Sequence, residues 1–124
     1  MENITIKNAS AVDCVFRVIR QPSGTQSAIL QYTPSGVGLN RTAYPKIEVS
    51  TRNQGGSTAP VVTVTVPYGA VVGGNFVKSG QNVVVTKATQ PAASPDTARL
   101  DAEAFSRNLQ LNPQIMALMS TGVI

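Results

Sequence analysis

The last 31 residues, SPDTARLDAEAFSRNLQLNPQIMALMSTGVI, follow a different rule from the 93 before them, and that break constrains the fold more than any other feature. Upstream, Val, Thr, Gly and Pro recur at strand-like spacing, whereas the tail holds two helix starts and an apolar stripe. Ser94-Pro95-Asp96 offers a capping hydroxyl, a proline suited to the first helical position and an acid near the positive end of the helix dipole. Ala98, Ala102, Phe105 and Leu109, with Leu111 beside them, lie along one stripe of the helix that this predicts. Asn112-Pro113 ends it and starts a second, whose apolar side is Ile115, Leu118 and Met119.

The upstream part reads as strands. Asn3 to Lys7 alternates Ile4 and Ile6 with Thr5 and Lys7; "NAS" turns the chain, and Ala11 to Arg20 is a longer apolar run closed by "QPSG", which together predict an opening hairpin. Ser27 to Tyr32 is a brief third strand, and "TPSGVG" after it is a loop. In "KIEVSTR" the polar residues Lys46, Glu48, Ser50 and Arg52 take one side, with Ile47, Val49 and Thr51 on the other. "NQGGST" is a loop, and "PVVTVTVP" repeats the alternation, Thr63 and Thr65 against Val62, Val64 and Val66. From Pro67 to Gln81 the spacing predicts a long glycine-containing loop, followed by the strand "NVVVTKAT".

A chain of 124 residues has room for one domain, so residues 1–124 are a single unit: hairpin and sheet over 1–93, helical hairpin over 94–124. Hydrophobic residues are 42% of it but aromatics only 5%, with no Trp, so the core must come from Val, Ile, Leu and Ala. Such a core is thin, which favours burial against another copy. Two arrangements suit an antiparallel sheet of about six strands with two terminal helices: an α+β sandwich with its own helices on its own sheet, or a symmetric obligate homodimer in which each copy covers the other's sheet. The second helix is short and the sheet face long, which argues for the second arrangement.

The net charge of +4 is unevenly spread: residues 1–90 carry +5 and residues 91–124 carry −1. A polyanion is a fitting partner for the basic, strand-rich part. The single cysteine, Cys14, excludes an internal disulfide and sits in the apolar run "AVDCVFRVI" as a small buried residue. No stretch reaches the ~18 apolar residues of a membrane span, and "MENITIKNAS" lacks the pattern of a signal peptide, so a cytosolic site of synthesis and no membrane partner are expected. The chain has no His, its six acids are scattered, nothing activates Cys14, and neither "GQN" nor "VVGGN" is a phosphate loop. Hence no catalytic residue, metal, cofactor or small-molecule substrate is expected.

The order of elements, with "AYPKIEVSTRNQ" as a central basic strand, "TVTVP" closing the next, and "TARLDAEAF" to "STGVI" as a helical pair with a short extension, resembles the coat proteins of the single-stranded RNA bacteriophages, the levivirus type, over the whole length. The resemblance implies an N-terminal hairpin, an antiparallel sheet and two C-terminal helices interlocked as a homodimer. It further implies an icosahedral shell of T=3 type, assembled from such dimers in the bacterial host cytoplasm around the viral RNA, with the sheet inward and the helices outward. The Tyr68–Gln81 loop would meet its neighbours at the symmetry axes, Gly73 and Gly74 letting it take two conformations.

In that family the matching strand positions bind an RNA hairpin that represses replicase translation. Carried over by register, they are Lys46, Glu48, Ser50 and Arg52, joined by Thr63 and Thr65 and by Asn82 from the following strand. Lys and Arg would contact phosphate, and hydroxyls and amides would read unpaired bases. Three positions depart from the family pattern. Glu48 stands where a hydroxyl is usual, Gly80 takes the place of a base-stacking aromatic, and Pro45 has no counterpart. These departures favour loose genome packaging over specific hairpin recognition. The competing reading is a small cytosolic RNA-binding β-rich module that dimerises without forming a shell; against it, the aromatics are spread singly and avoid the polar strands.

Overall fold

The computed structural model describes residues 1–34 and 41–122, so the predicted loop "TPSGVG" lies, from Ser35 onward, outside the described residues, as do Val123 and Ile124. The chain divides into two compact units, Met1–Thr89 and Gln90–Ile124.

The first unit is an antiparallel sheet of β1 (Ile4–Lys7), β2 (Asp13–Arg20), β3 (Ala28–Gln31), β4 (Lys46–Gln54), β5 (Ser57–Val72) and β6 (Asn75–Lys87), with each strand beside the next in chain order. The opening hairpin forms as expected, Ile4 opposite Phe16 and Lys7 opposite Asp13, the latter pair joined by a 2.8 Å ion pair. Its turn is held by Asn8, whose Oδ1 accepts from the backbone N–H groups of Ser10 and Val12. A single 3-10 turn, Arg41–Ala43, leads into β4.

Alternation along the strands gathers one apolar face. Cys14 and Phe16 of β2, Leu30 of β3 and Ile47 of β4 are the buried cluster, with Val18, Tyr32, Val49 and Val64 packed against it. The Phe16 and Tyr32 rings meet at 5.7 Å, tilted by 42°. Hydrogen bonding with the Cys14 side chain is the main cause that raises the Tyr32 hydroxyl above its ordinary pKa. The burial is local: farther along the same face Val62, Val66 and Val84 remain 36%, 42% and 48% exposed.

Two predicted glycine loops close as tight hairpin turns with strand on either side. "NQGGST" is a tight hairpin turn in which Asn53 pairs with Thr58 and Gln54 with Ser57, while Gly55 and Gly56 take φ of 51° and 85°. The expected long loop from Pro67 to Gln81 is a hairpin arm, with Val72 opposite Asn75 and Gly73-Gly74 turning at φ of 60° and 82°. Positive φ at two successive residues matches the right-handed strand twist, and paired glycines adopt it without strain. The β-branched Val71, Val72 and Val77 with Phe76 then favour extended backbone on both sides. The arm leaves the regular ladder at a bulge between Tyr68 and Gly69, where a Cβ on Gly69 would collide with the Val77 carbonyl.

In the second unit, a two-residue strand β7 (Gln90–Pro91) precedes α1 (Asp96–Gln110) and α2 (Pro113–Thr121). The α+β class and the order of elements are as read from sequence. The first cap is not: Pro95, rather than Ser94, is the N-cap residue, it makes no side-chain cap bond, and the Ser94 backbone N–H donates to the Pro91 carbonyl. The second helix start is as expected, with Asn112 accepting from the Gln114 N–H at 2.9 Å and Pro113 at the first helical position. Neither helix buries a residue; Phe105 of the predicted stripe is 71% exposed, and Leu109, Leu111 and Met119 are exposed as well.

Leu30 is fully buried at the centre of the small core. Leu30→Ala is expected to lower stability by about 2–5 kcal/mol in urea unfolding; a change under about 1 kcal/mol would mean that this cluster does not hold the sheet.

Candidate nucleic-acid interface

The face opposite the buried cluster is polar because β4 and β5 alternate in phase. Lys46 stands opposite Thr65, Glu48 opposite Thr63 and Ser50 opposite Val61, while Arg52 lies opposite Ala59. Directly opposed residues point to the same side of a sheet, so Lys46, Glu48, Thr63 and Thr65 form one close group, with Ser50 and Arg52 farther along β4. β3 extends the rows, Gln31 beside Lys46 and Ile29 beside Glu48, and β2 adds Arg17 beside Gln31.

Asn82 does not join them. It pairs with Val66, as Val84 pairs with Val64 and Thr86 with Val62, and therefore lies on the apolar face. β6 gives the polar side Gln81, Val83, Val85 and Lys87 instead. The run "NVVVT" has no alternation, so only the register with β5 decides which way each residue points.

Glu48 is held by its neighbours in the sheet. The Ser27 hydroxyl donates to Glu48 Oε1 at 2.5 Å, and Arg20 donates to the same residue, Nη2 to the Ser27 Oγ and Nε to its carbonyl, both at 2.9 Å. Ser27 is buried, so the chain binds the one acid of β4 to a cation through a hydroxyl. The register irregularity between Val18 and Arg20 brings Arg20 opposite Ile29, the cross-strand neighbour of Glu48. The one carboxylate of β4 is therefore hydrogen-bonded within the sheet face. Gly80 has its own reason: a Cβ there would stand 2.5 Å from the hydroxyl of Tyr68, which pairs with it and lays its ring over the glycine.

Sequence reading missed a group at the end of this face. Arg41 and Thr42 of the 3-10 turn, Tyr44 after it and Lys46 of β4, with Thr65 and Pro67 of β5 and Lys78 and Gln81 of β6, surround a hollow of about 210 Å³. Lys78 had seemed to sit in a loop; the signal for its true place is the Gly73-Gly74 turn, from which counting along both strands of the arm puts Lys78 opposite Gly69. No described helix is long and apolar enough to cross a membrane. Ser27→Ala is expected to cost about 1–3 kcal/mol in urea unfolding, since it leaves polar partners unsatisfied in a buried place; an unchanged midpoint would show that the Arg20–Ser27–Glu48 chain is incidental.

No family model matches the chain, and no curated protein matches it. Among solved structures it is similar to the virus-like particle of Beihai levi-like virus 21, at 16% identity and a TM-score of 0.85, covering 100% of this chain and 96% of that one. It is similar also to the virus-like particle of bacteriophage NT-214, at 12% identity and a TM-score of 0.84, over 99% and 96% of the two chains. The bacteriophage GA protein capsid aligns at 16% identity and a TM-score of 0.67, over 96% and 93%. At these identities the likeness establishes architecture: sheet, hairpin arm and helical pair together are the fold of phage and levi-like-virus particle proteins.

Proposed function

We propose that this chain is the coat protein of an RNA bacteriophage, whose dimers assemble into an icosahedral shell around single-stranded RNA. The observation that carries the reading is the match to particle-forming proteins over nearly the full length of both chains. The shape of the problem agrees with it. β6 is an edge strand, the apolar face of β5 and β6 leaves Val62, Val66 and Val84 exposed, and the helices carry an exposed stripe through Phe105 and Leu109. Surfaces of this kind call for a partner, and a second copy offers a matching set.

Each copy would cover the other's valine-rich sheet with its helices, forming an obligate homodimer. The polar face would then turn inward, where Lys46 and Arg52 meet phosphate and Ser50, Thr63 and Thr65 offer hydroxyls to unpaired bases. The exposed arm from Tyr68 to Lys78 would carry contacts between dimers. T=3 symmetry and repression of replicase translation rest on the sequence resemblance, with Glu48 and Gly80 as departures from the hairpin-binding pattern. The protein would reside in the virion after assembly in the host cytoplasm, and it would act as a structural component rather than an enzyme.

Expression in a bacterium followed by size-exclusion chromatography, electron microscopy and absorbance at the nucleic-acid maximum tests this reading. Shell-sized particles containing RNA are expected. A small dimer free of RNA would instead support the β-rich binding module. Phe105→Asp, which puts a charge on the exposed helical stripe, is expected to abolish particles and leave little soluble protein; normal particles from this variant would contradict helix-mediated pairing.

A further inference from the structure

The hollow beside Lys46 is lined by three cations, Arg41, Lys46 and Lys78, and by no carboxylate. The ion pairs among the described residues are Lys7–Asp13, Asp96–Arg99 and Glu103–Arg107, so none of the three cations is neutralised by one. Lys78 Nζ instead donates to Gln81 Oε1 at 2.7 Å, which leaves the NH₂ of Gln81 as the group this amide offers. The nearest acid along β4, Glu48, already accepts from Ser27. Like charges brought around one small space repel, and an anion placed between them converts that repulsion into attraction.

We infer that this hollow is an anion subsite for one backbone phosphate of single-stranded RNA, with Thr65 and Gln81 offering donors to the adjoining sugar or base. The inference rests on the RNA-packaging reading and adds a place to it. The three cations come from separate elements: Arg41 from the 3-10 turn, Lys46 from the start of β4, and Lys78 from the arm beyond the bulge. The RNA track therefore continues off the strand rows toward the hairpin arm. A volume of about 210 Å³ holds several waters in the free protein, and a phosphate on a flexible strand would displace them.

The test measures binding of a labelled uridine dodecamer to the full-length protein across a salt series. Removing one phosphate contact from a single strand flattens the slope of log affinity against log salt by about 0.7, which corresponds to about a fivefold loss at 0.1 M salt. Arg41→Ala with Lys78→Ala is expected to show that change, and Arg41→Lys with Lys78→Arg to restore the slope. Lys7→Ala, on the opening hairpin, is expected to leave it untouched. Arg41 and Lys78 are exposed, so the thermal midpoint should not move.

Should the double alanine variant keep the wild-type slope while Lys46→Ala with Arg52→Ala lowers it, the subsite is wrong and the packaging reading stands. Should the wild-type protein neither bind the dodecamer nor copurify with RNA, both fall. Inorganic phosphate at matched ionic strength should compete poorly; efficient displacement would make the hollow a site for free phosphate and overturn the inference.

Discussion

A sheet has two faces, and each apolar one must be covered or the fold does not persist in water. Here the main buried cluster is small, Cys14, Phe16, Leu30 and Ile47, while valines continue along β5 and β6 in partial contact with solvent. The helices have the complementary difficulty, with apolar side chains and no buried residue. With aromatics at 5% and no Trp, the chain lacks the large side chains that would let a small core hold alone. This shortage is what supports the proposed pairing with a second copy.

The same alternation that makes one face apolar makes the other a platform for chemistry. β4 and β5 keep their polar residues in phase, and Glu48, which would be a liability beside phosphate, is tied to Arg20 through Ser27. The platform ends at the hollow that Lys78, beyond the Tyr68–Gly69 bulge, lines together with Arg41 and Lys46. One register thus puts the buried cluster on one face and the hydrogen-bonded acid with Lys46 on the other.

Much of this was legible in the sequence, for physical reasons. "KIEVSTR" and "TVTVP" alternate cleanly, so their faces were fixed before any pairing was known, and the two helices followed from their apolar spacing. Asn82 was placed with the polar group by carrying over the family's positions, and since "NVVVT" does not alternate, only the pairing of Asn82 with Val66 shows that it lies on the other face. The hairpin arm was hidden because Gly69, Gly73, Gly74 and Gly80 suggest a loop; they serve three tasks, a turn at Gly73-Gly74, a close approach at Gly69 and room for a ring at Gly80. Ser94 looked like a cap by composition alone, whereas Pro95 occupies the N-cap position.

The most direct measurement is sedimentation equilibrium on serially diluted protein, followed in parallel by circular dichroism. If the valine-rich sheet and the helical stripe are covered only by another copy, the smallest species that retains native ellipticity will be a dimer, and dissociation and unfolding will coincide at every dilution. A stable monomer with full ellipticity and a cooperative melt would show that the chain satisfies its own apolar surfaces, and would contradict the account.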